Sequence, residues 1–223
     1  FGPGEDLDRY PRQPERDAGM LHEAGCDLLF LPSVETIYPP GNATRIHVEG
    51  AARGYEGKLR PGHFDGVATV VTILFQLVRP NFAVFGEKDA QQLAVVRQLV
   101  RDLHLPVEIV AGPTKREPDG LAMSSRNAYL SPAEREAATV LSRALAAAGD
   151  EIAAGERRAA AIRRRLRDEL QTEPRFELDY ADVVDALTFQ PVTRLAGRVV
   201  IPVAGRVGNT RLLDNLQLEL PGE

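Results

Sequence analysis

The segment that decides the fold is Phe82-Ala83-Val84-Phe85-Gly86-Glu87-Lys88-Asp89-Ala90-Gln91-Gln92. Its apolar start at 82–85 predicts a strand, and the apolar spacing of residues 89–103 predicts a helix. A strand that turns at a glycine into a helix presents backbone N–H groups to an anion, and Lys88 would add a cation. The segment therefore predicts a βα unit with an anion site at its turn. An alternative is that Asp89 and Gln92 only cap the helix.

The pattern around this segment predicts an α/β fold. Helical patterns are predicted at 15–24 and 67–78, and apolar strand-like runs occur at 27–32, 45–48 and 105–110. The run 27–32 is continuously apolar, as in a strand that is covered on both faces. This alternation of helices and strands predicts a Rossmann-like parallel sheet with helices on both faces.

The second half of the chain has a different character. A linker rich in proline and charge spans 113–127, and Ser131-Pro132-Ala133-Glu134 predicts a helix start with a capping box. Helices are predicted from there to residue 154 and over 159–172, followed by strands at 178–183, 199–204 and 210–215, the last two forming a hairpin through 205–209. These elements predict a small α+β domain. The expected domains are 1–114, which would bind the nucleotide, and 115–223, which would lie over the site.

The composition excludes several classes of protein. The chain has 223 residues, 43% of them hydrophobic and 26% charged, with a net charge of −5. That charge makes nucleic acid an unexpected partner, and no apolar run approaches the roughly 20 residues that a membrane span needs. The single cysteine, Cys26, excludes an intrachain disulfide. A reducing, cytoplasmic location is therefore expected. In the second half of the chain, four arginines of the helix predicted over 159–172 are expected to form a solvated face: Arg163, Arg164, Arg165 and Arg167.

A second polar cluster, Met123-Ser124-Ser125-Arg126, is a candidate partner for Lys88. Hydroxyls and a guanidinium can bind phosphate oxygens, and arginine does so with two hydrogen bonds. The alternative is an ordinary turn or helix cap. Together, Lys88 and Arg126 predict a cationic clamp on a triphosphate. His63 is not expected to be catalytic, and Asp6, Asp8 and Asp17 are weak candidates for Mg²⁺ ligands.

Several motifs together resemble the pantothenate synthetase family, and the resemblance extends over essentially the whole chain. The motifs are Tyr10-Pro11-Arg12, Tyr38-Pro39-Pro40-Gly41, Arg60-Pro61-Gly62-His63-Phe64, 85–93, 119–127 and Thr210-Arg211-Leu212-Leu213-Asp214-Asn215. The resemblance implies a ligase that uses ATP and Mg²⁺ to condense pantoate with β-alanine through pantoyl-adenylate. It also implies a nucleotidyltransferase fold like that of class I aminoacyl-tRNA synthetases, and a homodimer.

The resemblance also assigns roles to particular residues. It implies that Lys88, Ser124, Ser125 and Arg126 are catalytic and that Gln92 binds pantoate. The ATP site would comprise Gly86, Glu87, Lys88, Asp89, Lys115, Met123, Ser124, Ser125 and Arg126. Lys115 would act through its backbone, since the family usually has an apolar residue there. Asp17 is the tentative metal ligand.

One departure concerns the start of the family pattern. The family has an N-terminal strand and a Met-Gly-x-Leu-His-x-Gly-His segment, which would precede Phe1, whereas the histidines here are scattered at 22, 47, 63 and 104. We therefore expect the first βα unit to be missing, little adenylation by these residues alone, and an in-frame copy of that segment upstream. Two alternatives are a non-catalytic dimerisation or regulatory remnant, and another nucleotidyltransferase of the same superfold.

Overall fold

A computed structural model of the protein describes Gly2 and residues 5–221. The helices are α1 (Pro14–Glu23), α2 (Val34–Ile37), α3 (Tyr55–Leu59), α4 (His63–Val78), α5 (Ala90–Asp102), α6 (Pro132–Ala138), α7 (Val140–Ala153) and α8 (Ala159–Leu170). The strands are β1 (Phe82–Gly86), β2 (Glu108–Gly112), β3 (Phe176–Ala181), β4 (Val184–Asp185), β5 (Gly197–Val207) and β6 (Thr210–Leu220). Short 3₁₀ helices occupy Gly50–Ala52, Glu87–Asp89 and Ser125–Tyr129. None of the described helices is long and apolar enough to cross a membrane.

The first sheet is a parallel pair, as the alternation of helices and strands predicted. β1 pairs with β2 in a register that sets Val84 opposite Val110. Helices α4 and α5 pack on the face that carries Phe85 and Ile109. The opposite face remains exposed, since Val84 is 70% accessible, so the prediction of helices on both faces is wrong for the described residues. Helix α4 ends where expected, at a left-handed Arg79 before Pro80, because the residue before a proline avoids helical geometry.

The second sheet is antiparallel, which confirms the α+β prediction for this half. β5 pairs with β6 along its whole length through the predicted hairpin, and its other edge pairs with β3 and β4. The capping box also forms, since the Ser131 hydroxyl accepts from the Glu134 N–H and the Glu134 carboxylate accepts from the Ser131 N–H. The predicted long helix after it is interrupted at Thr139 and forms α6 and α7.

Two apolar clusters fill the interior. The larger one joins α7 and α8 to β3, β5 and β6, and on α8 the buried Ile162, Leu166 and Leu170 recur at helical spacing. The smaller one joins α4 and α5 to Val184, Phe189 and Val200 from the second half. Apolar contacts therefore cross the predicted domain boundary at residue 114, which stays a prediction.

Two predicted strands are wrong. Residues 27–32 form no strand, and Leu28 and Leu31 are 80% and 72% exposed. The described chain offers this segment no neighbouring strand, and an apolar run needs such a partner to form a ladder. Residues 45–48 also form no strand, because the Ile46 and Val48 N–H groups donate to side chains of α4 instead.

Two smaller predictions also need correction. Asp89 occupies the N-cap position of α5, yet its side chain makes no capping hydrogen bond, so the proposed pairing with Gln92 does not occur. Arg163 is not part of a solvated face. It forms an ion pair with Asp182 and donates to the carbonyl groups of Val183 and Val192, which lie on loops that pack beside α8.

Candidate active site

Two adjoining cavities lie where the parallel pair meets β6, with volumes of about 340 and 280 Å³. Seven residues line both of them: Glu56, Arg60, Lys88, Asp89, Arg126, Leu213 and Asp214. Lys88 and Arg126, which are far apart in sequence, therefore face a common space. The carboxyl end of β1 leads into this region, as expected for a parallel sheet.

The turn after β1 presents Lys88 to the cavities. Gly86 ends the strand, and Glu87–Asp89 form a single 3₁₀ turn before α5. The Lys88 ammonium lies 3.8 Å from the Asp89 carboxylate and is mostly shielded from solvent. The Lys88 side chain thus lies along the cavity wall, where a bound anion would compete with Asp89 for its ammonium group.

The two consecutive glutamines of this segment have different surroundings. Gln91 is buried, where it accepts from the Glu56 N–H at 2.9 Å and donates to the Ala51 carbonyl at 3.0 Å. Gln92 lines the smaller cavity, and its side-chain amide makes no hydrogen bond with any described residue. Its amide is therefore available to a ligand, whereas that of Gln91 is occupied in holding α3 against α5.

The loop 123–126 brings only part of its predicted set to the cavities. Ser124 lines the larger cavity, and its hydroxyl accepts from the Arg126 N–H. Ser125 is exposed and accepts from the Tyr10 hydroxyl at 3.3 Å. Met123 and Lys115 lie outside both cavities, where the Met123 N–H donates to the Lys115 carbonyl.

Arg126 is engaged by an acidic side chain from the start of the chain. Its guanidinium donates two hydrogen bonds to the Asp6 carboxylate, at 2.7 and 2.9 Å, and lies over the Tyr10 ring. This hydrogen bonding lowers the pKa of Asp6 and raises the pKa of Arg126. The Asp6 carboxylate thus accepts the two hydrogen bonds that the Arg126 guanidinium would otherwise donate to a phosphate.

A buried charge network beneath the cavities was missed by sequence reasoning. Glu56 accepts two hydrogen bonds from Arg211 at 2.7 Å and one from the Tyr180 hydroxyl at 2.8 Å. Burial would raise the pKa of Glu56, but Arg211 holds it below its usual value. Burial raises the pKa of Tyr180. No local pattern marks this network, since Tyr180 and Arg211 lie 124 and 155 residues away from Glu56 in sequence.

Arg60 is the other missed residue, although it lies in the quoted Arg-Pro-Gly-His-Phe motif. Its guanidinium donates to both oxygens of Glu5, at 2.6 and 2.8 Å, and lies 2.9 Å from His63 Nε2. Burial, followed by the charge of Arg60, lowers the pKa of His63 to about 4. His63 is therefore neutral at pH 7, and its Nε2 can accept from Arg60.

The predicted metal ligands are not gathered in one place. Asp6 binds Arg126, while Asp8 and Asp17 are exposed, and neither of them lines a cavity. Among the described residues, no group of three or more histidine, cysteine, aspartate or glutamate side chains is arranged to hold a metal ion. Of the carboxylates near Lys88, that of Asp89 is exposed at the cavity wall.

The sequence matches the profile of the pantoate-β-alanine ligase family over residues 1–217. The chain belongs to this family. Pantothenate synthetase from Acetivibrio thermocellus is 50% identical over 99% of this chain and 78% of its own length. The corresponding enzyme from Herpetosiphon aurantiacus is 52% identical over 97% of this chain and 79% of its own length.

Solved structures of the ligase family have the same fold. Pantothenate synthetase from Thermus thermophilus superimposes with a TM-score of 0.92 at 53% identity, covering 97% of this chain and 78% of that one. Pantoate-β-alanine ligase from Francisella tularensis, complexed with β-γ ATP and β-alanine, has a TM-score of 0.70 at 33% identity, over 95% and 72% of the two chains. These matches confirm the predicted fold class and family, and they do not favour the two alternatives.

Proposed function

We propose that this ligase-family chain acts as a pantothenate synthetase, condensing pantoate with β-alanine at the expense of ATP. The main observation in support is that Lys88 and Arg126, from two separate segments, line the same pair of cavities. A relative complexed with β-γ ATP and β-alanine has the same fold, which favours the same ligands here.

In the proposed first step, a carboxylate oxygen of pantoate attacks the α-phosphorus of ATP. The bond from that phosphorus to the bridging oxygen breaks, and pyrophosphate leaves with the electron pair. Negative charge grows on the phosphate oxygens, so cations fixed at the cavity wall stabilise the transition state. Lys88 and Arg126 supply these cations, the Ser124 hydroxyl donates a hydrogen bond to a phosphate oxygen, and the Gln92 amide binds pantoate.

In the second step, the free amine of β-alanine attacks the acyl carbon of pantoyl-adenylate. AMP leaves with the electrons of the C–O bond, and the nitrogen gives up a proton to form the amide.

When ATP binds, the Arg126 guanidinium would release the Asp6 carboxylate and bind phosphate instead. Gly86, Glu87, Asp89, Lys115, Met123 and Ser125 remain proposed ATP contacts.

Three further features belong to the same proposal. Mg²⁺ would enter with the triphosphate, because this ion is usually held by substrate phosphates and water with one or two carboxylates. Asp89 is the nearest carboxylate to Lys88, and Asp17 stays a weaker candidate. A homodimer and a cytoplasmic location are proposed from the family resemblance.

Calorimetry with ATP tests the proposed site without requiring turnover. Lys88→Met and Arg126→Met should each weaken ATP binding about 10- to 100-fold, the effect of losing a charged hydrogen bond. Lys58→Met and Arg164→Met change exposed residues outside the two cavities and should leave the affinity for ATP unchanged. Equal affinities in all four variants would overturn the site. Pantoate-dependent release of pyrophosphate, followed by β-alanine-dependent release of AMP, tests the reaction itself.

A further inference from the structure

We infer that Asp214 and Asn215, neighbours on β6, are positioning residues that hold the two cationic segments of the site in register. The inference rests on the proposed function, since it concerns the segments that would bind ATP phosphates. Neither residue stood out in the sequence beyond its membership of the motif at 210–215.

Asn215 holds the turn that presents Lys88. Its side chain is 5% exposed, and its amide nitrogen donates to the carbonyl groups of Glu87 and Lys88, at 2.9 and 2.8 Å. The Gln217 amide adds a bond to the Glu87 carbonyl at 3.2 Å. Two consecutive peptide planes are thereby fixed, and these planes determine where the Lys88 side chain leaves the backbone.

Asp214 holds the loop that leads to Arg126. Its carboxylate is almost fully buried and accepts from Arg116 at 2.6 and 3.1 Å. Arg116 also donates to the Gly120 carbonyl, and its backbone forms a bridge with Ala122. Asp214 therefore anchors the segment immediately before Met123–Arg126. Its carboxylate lies at the cavity wall, where the charge of Arg116 compensates its own.

The strand that carries both residues is a rigid reference. β6 pairs with β5 over its full length, from Thr210 opposite Val207 to Leu220 opposite Gly197. The turn 87–89 and the loop 113–127 have no strand pairing with each other among the described residues. The pairing of Gly86 with Gly112 fixes where the turn and the loop begin. Beyond that point Asp214 and Asn215 hold both segments, so the distance between Lys88 and Arg126 depends on this pair.

The test compares the affinities for ATP and adenosine in variants of the whole chain. Asn215→Ala and Asp214→Asn should weaken ATP binding about 10-fold, measured by calorimetry, with less than a 2-fold change for adenosine, measured by ligand-observed NMR. Adenosine lacks the phosphates that Lys88 and Arg126 would contact, so a purely structural defect would weaken both ligands alike. Glu219→Gln changes an exposed residue of the same strand, which forms an ion pair with Arg198, and should leave both affinities unchanged.

A double mutant tests the route of the effect. If Asn215 acts through Lys88, Asn215→Ala should cause no further loss of ATP affinity in a Lys88→Met background. Equal losses for ATP and adenosine, or fully additive losses in the double mutant, would overturn the inference.

Amide hydrogen exchange separates this inference from the proposed function. Exchange at residues 87–89 should be faster in Asn215→Ala than in Glu219→Gln. Unchanged exchange overturns the positioning role, whether or not ATP binds. A chain that binds no ATP but shows faster exchange overturns the proposed ATP site and supports the positioning role.

Discussion

The halves of the chain before and after residue 113 differ in how they bury apolar side chains. Of the large apolar side chains that the described structure leaves exposed, all but Met123, Leu178 and Leu187 lie in the first half. In the second half, α7 and α8 cover one sheet with a continuous core. In the first half, helices cover only one face of β1 and β2, although parallel sheets are usually covered on both.

This difference teaches where stability and function reside. The antiparallel half supplies a rigid frame, and the parallel half supplies the turn with Lys88. The cavities form at their contact, where Arg211 and Asn215 of β6 reach Glu56, Glu87 and Lys88 of the first half. The site therefore depends on contacts between the halves as much as on either motif.

The largest expected effect is loss of a core side chain from the second half. Leu166→Ala should lower the free energy of unfolding by about 3–5 kcal/mol, because Leu166 is fully buried on α8 and a cavity would remain. Urea denaturation measures this. Leu187→Ala, at a position that is 53% exposed in the same half, should cost less than about 0.5 kcal/mol. Similar costs for the two variants would contradict the packing described.

The next effect concerns the buried ion pair between the halves. Arg211→Met should cost about 2–3 kcal/mol, somewhat below the value for a fully buried pair, because it leaves the Glu56 carboxylate without its main partner. Arg198→Met is the matched control, since its ion pair with Glu219 is largely exposed and should contribute little. A loss confined to Arg198→Met would refute the role of this contact.

A smaller effect is the response of the first half to acid. The pKa of His63 falls from 6.5 to about 4 in the fold, so the unfolded chain binds more protons between these values. The contribution of His63 to stability should therefore be constant above pH 6.5 and be lost as the pH drops from 6.5 to 4. The Glu5 pKa of about 2, caused by its hydrogen bonds with Arg60, extends this loss below pH 4.5.

The variant His63→Gln isolates the first of these windows. It should flatten the dependence between pH 6.5 and 4 in urea denaturation, whereas His22→Gln, at an exposed position of α1, should leave it in place. An unchanged slope in His63→Gln would show that other groups are responsible.

The smallest effect is expected on the exposed face of the parallel pair. Val84→Thr should change stability by less than about 0.5 kcal/mol, since Val84 is 70% exposed. Val203→Thr, at a fully buried position of β5, should cost about 1–3 kcal/mol because it buries a hydroxyl. A comparable cost at Val84 would mean that this face is covered in solution, and light scattering would then identify a second copy.

Local signals in the sequence found the elements that local chemistry specifies. Ser131 and Glu134 predicted their capping box, and the turn after Phe85 predicted the βα unit that contains Lys88. The run 27–32 was misread, because an apolar segment becomes a strand only if a neighbour pairs with it. Glu56 and Asn215 were not recognised, because their partners Arg211 and Lys88 lie 155 and 127 residues away in sequence.

The sequence by itself determined the family, the α/β class of the first half with its α+β second half, and the two cationic segments that are candidates for phosphate binding. Only the tertiary structure decided that Lys88 and Arg126 line common cavities, that Asp6 occupies Arg126, and that Asp214 and Asn215 anchor both segments to β6. The physical reason is the range of the interactions. Periodicity, capping and turns act between residues a few positions apart, whereas buried hydrogen bonds and ion pairs join residues that only the folded chain brings together.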